Sequence, residues 1–518
     1  MPVPSPYPDV EIPEVSLYDH LFDDFGDRGD AIAFVDGTSG ASLTFNQLKE
    51  FTDKIAAALA ERGIGAGDVV GMFIPNTPYY PAVFHGVLRA NAIVTSANSL
   101  YTPGELAHQL ADSGAKLLFT VSAFLDRAQA AADEVGLPKE AVIPLDGAEG
   151  YSSLLDLLGT TAEPPAQVVG PTDTAVLPYS SGTTGRAKGV ILTHRNLVAN
   201  LAQFGALTHV HSESVIMAVL PFFHIYGMTV MMNNGIFKRA TVVTLPRFDL
   251  TDFLRTIAEK KVTYVYIAPP IAVALAKHPV VEEYDLSSIE IIFSGAAPLD
   301  AELGHAVAKR LNTRVRQGYG MTELSPLSHG IPAGRTDISA GTVGVLAPNM
   351  QARIVDPATG EDAGQGEPGE LWLRGPNVMA GYLNNPEATA ITIDADGWLH
   401  TGDVATVEDD VYSIVDRVKE LIKYKGYQVA PAELEAVLVG HPAIADAAVI
   451  PAPDEEAGEV PKAFVVRAPG TDPTPEDIIA YVADRVAPYK RVRHVEFIDA
   501  IPKAASGKIL RKDLRART

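Results

Sequence analysis

Cysteine is absent from all 518 residues. That excludes disulfides, thiolate metal sites and a cysteine nucleophile, and it fits a reducing, cytoplasmic setting. No run of about 18 apolar residues occurs, so no membrane span is expected. Residues 1–8 hold neither a basic stretch nor an apolar segment, which argues against a secretory signal. Positive charge is scarce: 41 Lys and Arg face 64 Asp and Glu, a net charge of −23. Non-specific binding to nucleic acid is therefore not expected. The chain has no internal repeat and no low-complexity tract. The Gly-Lys-Ser/Thr of a P-loop appears nowhere in it.

What is present describes an ordinary globular protein, 47% hydrophobic and 20% charged. It is too long for one core. Charge is unevenly placed: residues 417–518 carry 16 basic and 15 acidic residues, and 1–416 carry 25 and 49. Through the first 350 residues or so, short apolar runs (69–74, 92–95, 116–120, 215–220, 240–245, 262–267, 289–293) alternate with helical stretches (79–89, 123–134, 269–277, 300–311). This is the pattern of βαβ units. From 341 the texture turns to strands and turns at 351–355, 369–374 and 411–415. After 417 come helices at 431–439 and 475–486 and strands at 447–450 and 463–467. The expected fold is α/β. Its large domain, 1–416, has mostly parallel sheets and a small β subdomain from about 341. A small α+β domain, 417–518, follows a junction near 416–419. Gly364, Gly366 and Gly369 spell a dinucleotide fingerprint but lead into a strand, so they read as a turn.

Residues 180–190 are the most informative run: Ser-Ser-Gly-Thr-Thr-Gly-Arg-Ala-Lys-Gly-Val. The glycines let backbone N–H groups approach a ligand. Ser180, Ser181, Thr183 and Thr184 add hydroxyls around Gly182, and Lys188 adds a cation. Polyphosphate asks for such a set, here between expected strands at 174–179 and 190–194. In 317–323, Gln317 and Gly318 lead to Tyr319, whose ring can face a base. Thr322 and Glu323 there suit a phosphate and a hard cation. Asp403 follows a tight turn and can hold both hydroxyls of a ribose. Basic residues gather at 416–428, and Lys508 follows a glycine among apolar residues near the C-terminus. His224 and Tyr226 lie in an aromatic string, 221–227, that suits an apolar acid pocket.

Together these strings resemble the adenylate-forming enzymes: acyl- and aryl-CoA ligases, luciferases and peptide-synthetase adenylation domains. The likeness spans nearly the whole chain, with the motifs in the family's order. Residues 180–188, 294–299, 317–323 and 419–434 look most like the 4-coumarate–CoA ligase branch, and bacterial fatty acyl-CoA ligases look similar.

The resemblance implies two reactions on ATP, Mg²⁺, coenzyme A and a small carboxylic acid. A carboxylate attacks the α-phosphate and expels pyrophosphate. The thiol of coenzyme A then displaces AMP. By analogy Lys508 spans carboxylate and phosphate in the first step. Lys188 and the loop hydroxyls hold the β- and γ-phosphates, and Thr322 and Glu323 serve the α-phosphate and the metal. Asp403 and Arg417 hold the ribose, with Gln317 and Gly318 also on the ATP side. Gly295, Ala296 and Tyr319 frame the adenine. His224 and Tyr226 belong to the acyl pocket, and Gln428 joins Gly295 and Ala296 around the acyl-adenylate. A hinge at Lys419 would withdraw Lys508 and bring in Lys423, Lys425 and Gly426, with Arg247 and the basic cluster at 490–493 for the phosphates of coenzyme A. The expected acid is a 4-coumarate or cinnamate; the alternatives are a fatty acid, or delivery to a carrier protein. Monomer and homodimer both remain open.

Overall fold

A computed structural model describes residues 2–180, 187–357, 359–417, 419–425, 427–454, 457–504 and 507–517. The described strands form four sheets. The first is built on parallel strands Ile93–Ser96, Val69–Met72, Ala115–Thr120 and Val142–Pro144. Parallel pairing needs crossovers, and helices such as Tyr80–Arg89 supply them. On the other side of Ile93–Ser96 lie Thr174–Val176, then Lys188–Thr193, then the two-residue strand Gly381–Tyr382. His194, expected at the end of a strand, instead begins the helix His194–Leu207, because Thr193 caps it through Asn196.

The second sheet holds nine strands. Tyr264–Ile267, Ile291–Ser294 and Arg314–Gly320 run side by side in parallel. Their carboxyl ends open toward one cleft, the place where open α/β sheets bind ligands. Glycine is required at that edge: a Cβ on Gly320 would lie 2.2 Å from the Pro326 carbonyl oxygen. The segment between Val215–Ala218 and Thr241–Thr244 winds into a π-helix, Tyr226–Asn233. One core of Leu, Val, Ile, Phe and Tyr joins this sheet to most of the first.

The third sheet is antiparallel: Gln351–Val355, Gly369–Arg374, Leu399–Glu408 and Val411–Arg417. The β-rich texture from 341 is found here, and Val3–Pro4 from the amino end joins its edge. Gly364, Gly366 and Gly369 form the turn into Gly369–Arg374, with Gly366 at φ +77°.

The fourth sheet contains Ile422–Tyr424, Tyr427–Val429, Ile444–Asp454, Gly458–Arg467 and His494–Phe497. Helices Pro431–Val439 and Pro475–Ala483 cover it. Its core is separate, made by Ile422, Leu434, Val449, Val465 and Ile478 among others. This unit touches the larger part where Lys277 Nζ donates to the Val439 carbonyl at 2.9 Å. It touches again where Gly507 lies so close to Ala268 that a Cβ would come within 3.0 Å. No helix among the described residues is long and apolar enough to cross a membrane.

Candidate active site

Four polar segments, far apart in sequence, meet at the carboxyl ends of the parallel strands. The first contact is between Ser180 and Glu323. Ser180 Oγ donates to Glu323 Oε1 at 3.2 Å, and Tyr382 donates to the same oxygen at 2.8 Å. Glu323 is only 5% exposed, and its second oxygen takes no hydrogen bond from the described residues. Lys188 Nζ stands 4.1 Å from the centre of the Tyr382 ring. Thr322 begins the short helical turn Thr322–Leu324 and is half-buried. Ser181, Gly182, Thr183 and Thr184 lie outside the described residues.

The second contact is set by strand register. Asp403 faces Arg417 across the antiparallel pair Leu399–Glu408 and Val411–Arg417. Asp403 Oδ1 lies 3.2 Å from Arg417 Nε, and Oδ2 accepts from the Tyr319 hydroxyl at 2.5 Å. Tyr319 is held firmly in its phenol form by burial and then by the Asp403 charge.

The expected acyl side is built around Tyr226. Its hydroxyl donates to the Phe293 carbonyl at 3.1 Å, and its ring lies where a Cβ on Gly295 would come within 3.0 Å. Ala296 adopts a left-handed φ of +70°. His224 Nδ1 accepts from the Tyr226 backbone N–H at 3.2 Å. Burial, reinforced by Lys508, pushes the imidazole down to about 4, so it is neutral near pH 7.

Lys508 closes the cluster. It is half-buried, and burial followed by the Arg417 charge lowers its ammonium to about 8, against the pull of Asp403, Glu323 and Glu420. The same lysine thus feels the charges of Arg417, Asp403, Glu323 and Glu420, and its own charge acts on His224.

Other expected residues fall elsewhere. Gln317 is 2% exposed, and its side-chain amide is engaged by backbone. Its oxygen accepts from Leu299 N, and its nitrogen donates to the carbonyls of Ala340 and Thr342. Its side chain ties loops together at the start of the Tyr319 segment. Gly318 sits within the strand, where a Cβ would come 2.6 Å from the Phe293 ring. Lys423 and Lys425 are exposed on the hairpin of Ile422–Tyr424 and Tyr427–Val429, with Lys425 at φ +46°. Gln428 contributes backbone pairing there, and Gly426 lies outside the described residues. Lys419 is exposed beside the turn in which Glu420 N donates to Arg417 O. Arg247 lines a cavity of about 360 Å³ with Phe223, Phe248, Lys503 and Gly507. In the basic cluster at 490–493, Lys490 is committed to Glu433 at 2.7 Å.

Two residues escaped sequence reasoning. Tyr382 touches both Lys188 and Glu323; its sequence signal is an aromatic residue behind a glycine, in a stretch too short to read as a strand. Glu420 is 6% exposed, pairs with Arg515 and acts on Lys508. It is hidden in the basic run.

For a divalent cation the residues fit one role. The described residues contain no cluster of three or more His, Cys, Asp or Glu. A single buried carboxylate with one oxygen unengaged, beside a phosphate-type loop, suits Mg²⁺, which is often held by one carboxylate and substrate phosphates.

The AMP-binding enzyme family matches residues 22–383, and its C-terminal domain matches 433–508. 4-Coumarate–CoA ligase 1 of Petroselinum crispum is 43% identical over 99% of this chain and 96% of its own length. 4-Coumarate–CoA ligase of Pinus taeda is 43% identical over 99% and 97%. Among solved structures, the anthranilate CoA ligase AuaEII in complex with anthranoyl-AMP superposes with a TM-score of 0.91 at 26% identity, covering 98% of both chains. ATP-bound MatB from Rhodopseudomonas palustris gives 0.88 at 28%, covering 98% of this chain and 99% of its own. This chain belongs to the AMP-binding, adenylate-forming enzyme family.

Proposed function

We propose that the protein joins aryl-propenoic acids of the 4-coumarate and cinnamate type to coenzyme A through an acyl-adenylate. It is an AMP-forming acid–CoA ligase, and ATP and coenzyme A are its co-substrates. The full-length likeness to 4-coumarate–CoA ligases supports the aryl acid, as does the flat Tyr226 ring against Gly295. Dependence on cellular ATP and coenzyme A supports a cytoplasmic place.

The observation that carries the reading is the position of Lys508. A carboxylate is a weak nucleophile, and the α-phosphate it attacks is already anionic. The site must offset like charges and hold the atoms in line. Gly507, the residue before Lys508, packs on Ala268 just past the strand Tyr264–Ile267, and the Lys508 charge acts on His224, on the acyl side of this reading, and feels Arg417 and Asp403, on its ribose side. One ammonium there serves both reacting partners as the carboxylate oxygen bonds to phosphorus and pyrophosphate leaves. Removing a group aimed at transition-state charge typically costs about 3–4 kcal/mol. Ser180 and Lys188 stand toward the outer phosphates. Glu323 would hold Mg²⁺, which when bound neutralises phosphate charge. Asp403, preset by Tyr319 and Arg417, takes the ribose hydroxyls.

In the second reaction the coenzyme A sulfur bonds to the acyl carbon, the bond to the AMP oxygen breaks, and the thiol proton leaves. A lysine filling the cleft obstructs that approach. We place the pivot between two domains, 1–416 and 417–518, at Lys419. Its rotation brings the hairpin with Lys423 and Lys425 to the adenylate, and Arg247 of the larger unit takes the coenzyme A phosphates. The reading is tested by pyrophosphate release with coumarate, cinnamate and octanoate in parallel, with and without coenzyme A. Coumarate and cinnamate should turn over with coenzyme A and give a single burst without it. Preference for octanoate would overturn the aryl assignment.

A further inference from the structure

Tyr382 is placed by backbone pairing at both ends of a very short strand. Its strand runs antiparallel to Lys188–Thr193, with Tyr382 opposite Val190 and Gly381 opposite Ile191. Leu383 N donates to Gly189 O at 2.8 Å, and Ala380 N donates to Ile191 O at 3.0 Å. Tyr382 N donates to Thr389 Oγ1 at 2.9 Å. Side chains alternate along a strand, so Lys188 and Val190 share a face, and Tyr382 meets Lys188 diagonally on it. A second tie joins this segment to the carboxylate: Met379 N donates to Glu323 O at 2.9 Å.

The side chain then does two things. Its hydroxyl donates to Glu323 Oε1 at 2.8 Å, and its ring face carries the Lys188 ammonium at 4.1 Å. Burial, and then the Glu323 charge, raise the phenol well above its ordinary value, so it remains a donor. An ordinary core tyrosine would satisfy its hydroxyl on a backbone carbonyl and leave its face to apolar neighbours. Here both partners are charged and of opposite sign. No ion pair joins Lys188 to Glu323 among the described residues; the tyrosine stands between them. A direct ion pair would have to be broken when a polyphosphate arrives, whereas a lysine resting on a ring surrenders a weaker contact.

We propose that Tyr382 is the positioning residue of the phosphate end of the site. Its hydroxyl aims the Glu323 carboxylate at the divalent cation, and its ring keeps Lys188 apart from that carboxylate and available to the polyphosphate. This rests on the reading above that Lys188 and Glu323 receive Mg²⁺ and ATP.

The two roles separate by substitution. Tyr382→Phe removes the hydroxyl and keeps the ring. Tyr382→Leu removes both. The full-length enzyme is titrated calorimetrically with ATP in EDTA and across a Mg²⁺ series, with a thermal melt to verify folding. Tyr382→Phe should raise the Mg²⁺ needed for half-maximal ATP binding about tenfold, the size expected for losing a hydrogen bond to a charged group. It should change metal-free ATP binding by less than about twofold. Tyr382→Leu should also weaken metal-free ATP several-fold. In a Glu323→Gln background the Tyr382→Phe effect should vanish, because the residue acts through that carboxylate. Equal weakening with and without Mg²⁺, or an effect that survives in Glu323→Gln, would overturn the proposal. Wild-type enzyme whose ATP binding ignores Mg²⁺ would instead sink the reading on which it rests.

Discussion

Asp403 and Tyr319 are joined by a 2.5 Å hydrogen bond from the phenol to Oδ2, while Oδ1 of the same carboxylate faces Arg417 Nε at 3.2 Å. The carboxylate is almost buried and is oriented before any nucleotide arrives. An acceptor prepared in this way suits a vicinal diol, whose two hydroxyls donate to one charged group.

From this follows the first prediction. Asp403→Ala should raise the KM for ATP about a hundredfold, the loss of two hydrogen bonds to a charged acceptor. Its preference for ATP over 2′,3′-dideoxy-ATP should nearly disappear. Tyr319→Phe leaves the carboxylate in place and should cost about tenfold or less. Steady-state pyrophosphate release with both nucleotides measures the two effects. Unchanged discrimination in Asp403→Ala would remove Asp403 from the ribose.

Lys508 yields a prediction with a sign. Lys508→Ala should abolish adenylate formation and spare thioester formation from supplied adenylate. In the free enzyme burial, and then Arg417, hold the ammonium down to about 8. If the charged form does the work, kcat/KM for adenylation is full below that pH and falls about tenfold per unit above it. Lys508→Arg should move this limb out of range, whatever activity it retains. Docking of the C-terminal unit follows the opposite course. Undocked, the lysine returns toward 10.5. Between about 8 and 10.5 the docked form therefore holds fewer protons, and nucleotide-free docking tightens as pH rises through that window. A fluorophore pair across the two units would report it, and tightening on acidification would contradict the placement of Lys508.

The polar half of this site is legible in sequence because glycines, hydroxyls and a lysine between apolar strands have no packing explanation. Asp403 and Lys508 stand out for the same reason. For Gln317 the glycine neighbours suggest a ligand loop, but the engagement of its amide by Leu299, Ala340 and Thr342 is not legible, because those contacts depend on loops folding back. Tyr382 is not legible: its strand has two residues, too few for alternation, and its meaning comes from pairing with a distant strand. The parallel sheets are legible from alternating apolar runs. The joining of Val3–Pro4 to the third sheet is not, since two residues carry no period. His194 opens a helix rather than ending a strand because a cap at Thr193 outweighs the apolar run before it.

Arg511 and Glu435 provide a stability prediction. Arg511 donates twice to Glu435, at 2.7 and 2.8 Å, with side chains 14% and 13% exposed. Glu435 also accepts from Val449 N at 2.8 Å. Burial raises the Glu435 carboxyl above its ordinary value, opposed by Arg511. Arg511→Ala strands a buried carboxylate and should destabilise the C-terminal unit by about 3–5 kcal/mol. Adding Glu435→Leu should recover most of it, because the unpaired charge is gone. Hydrogen exchange of the full chain, followed in Pro431–Val439 and Ile444–Asp454, reads this directly. A single variant as stable as wild type would show that the pair contributes nothing.

The second reaction should depend on different lysines. In the arrangement seen here Lys423 and Lys425 are exposed on the C-terminal hairpin, while Lys508 is half-buried, follows a glycine packed on Ala268, and is coupled by charge to Asp403, Glu323 and His224. One position of the unit thus presents one lysine and withholds two. If rotation about Lys419 exchanges them, Lys423→Ala with Lys425→Ala should leave adenylate formation within about twofold. Thiolysis of supplied coumaroyl-adenylate should fall about a hundredfold, the scale for losing preorganised charge stabilisation. In rapid-mixing experiments the double variant would give a full burst of pyrophosphate, equal to the enzyme present, followed by slow turnover. Lys508→Ala would give no burst. A double variant that lost its burst as well would place these lysines in the first reaction and remove the need for rotation.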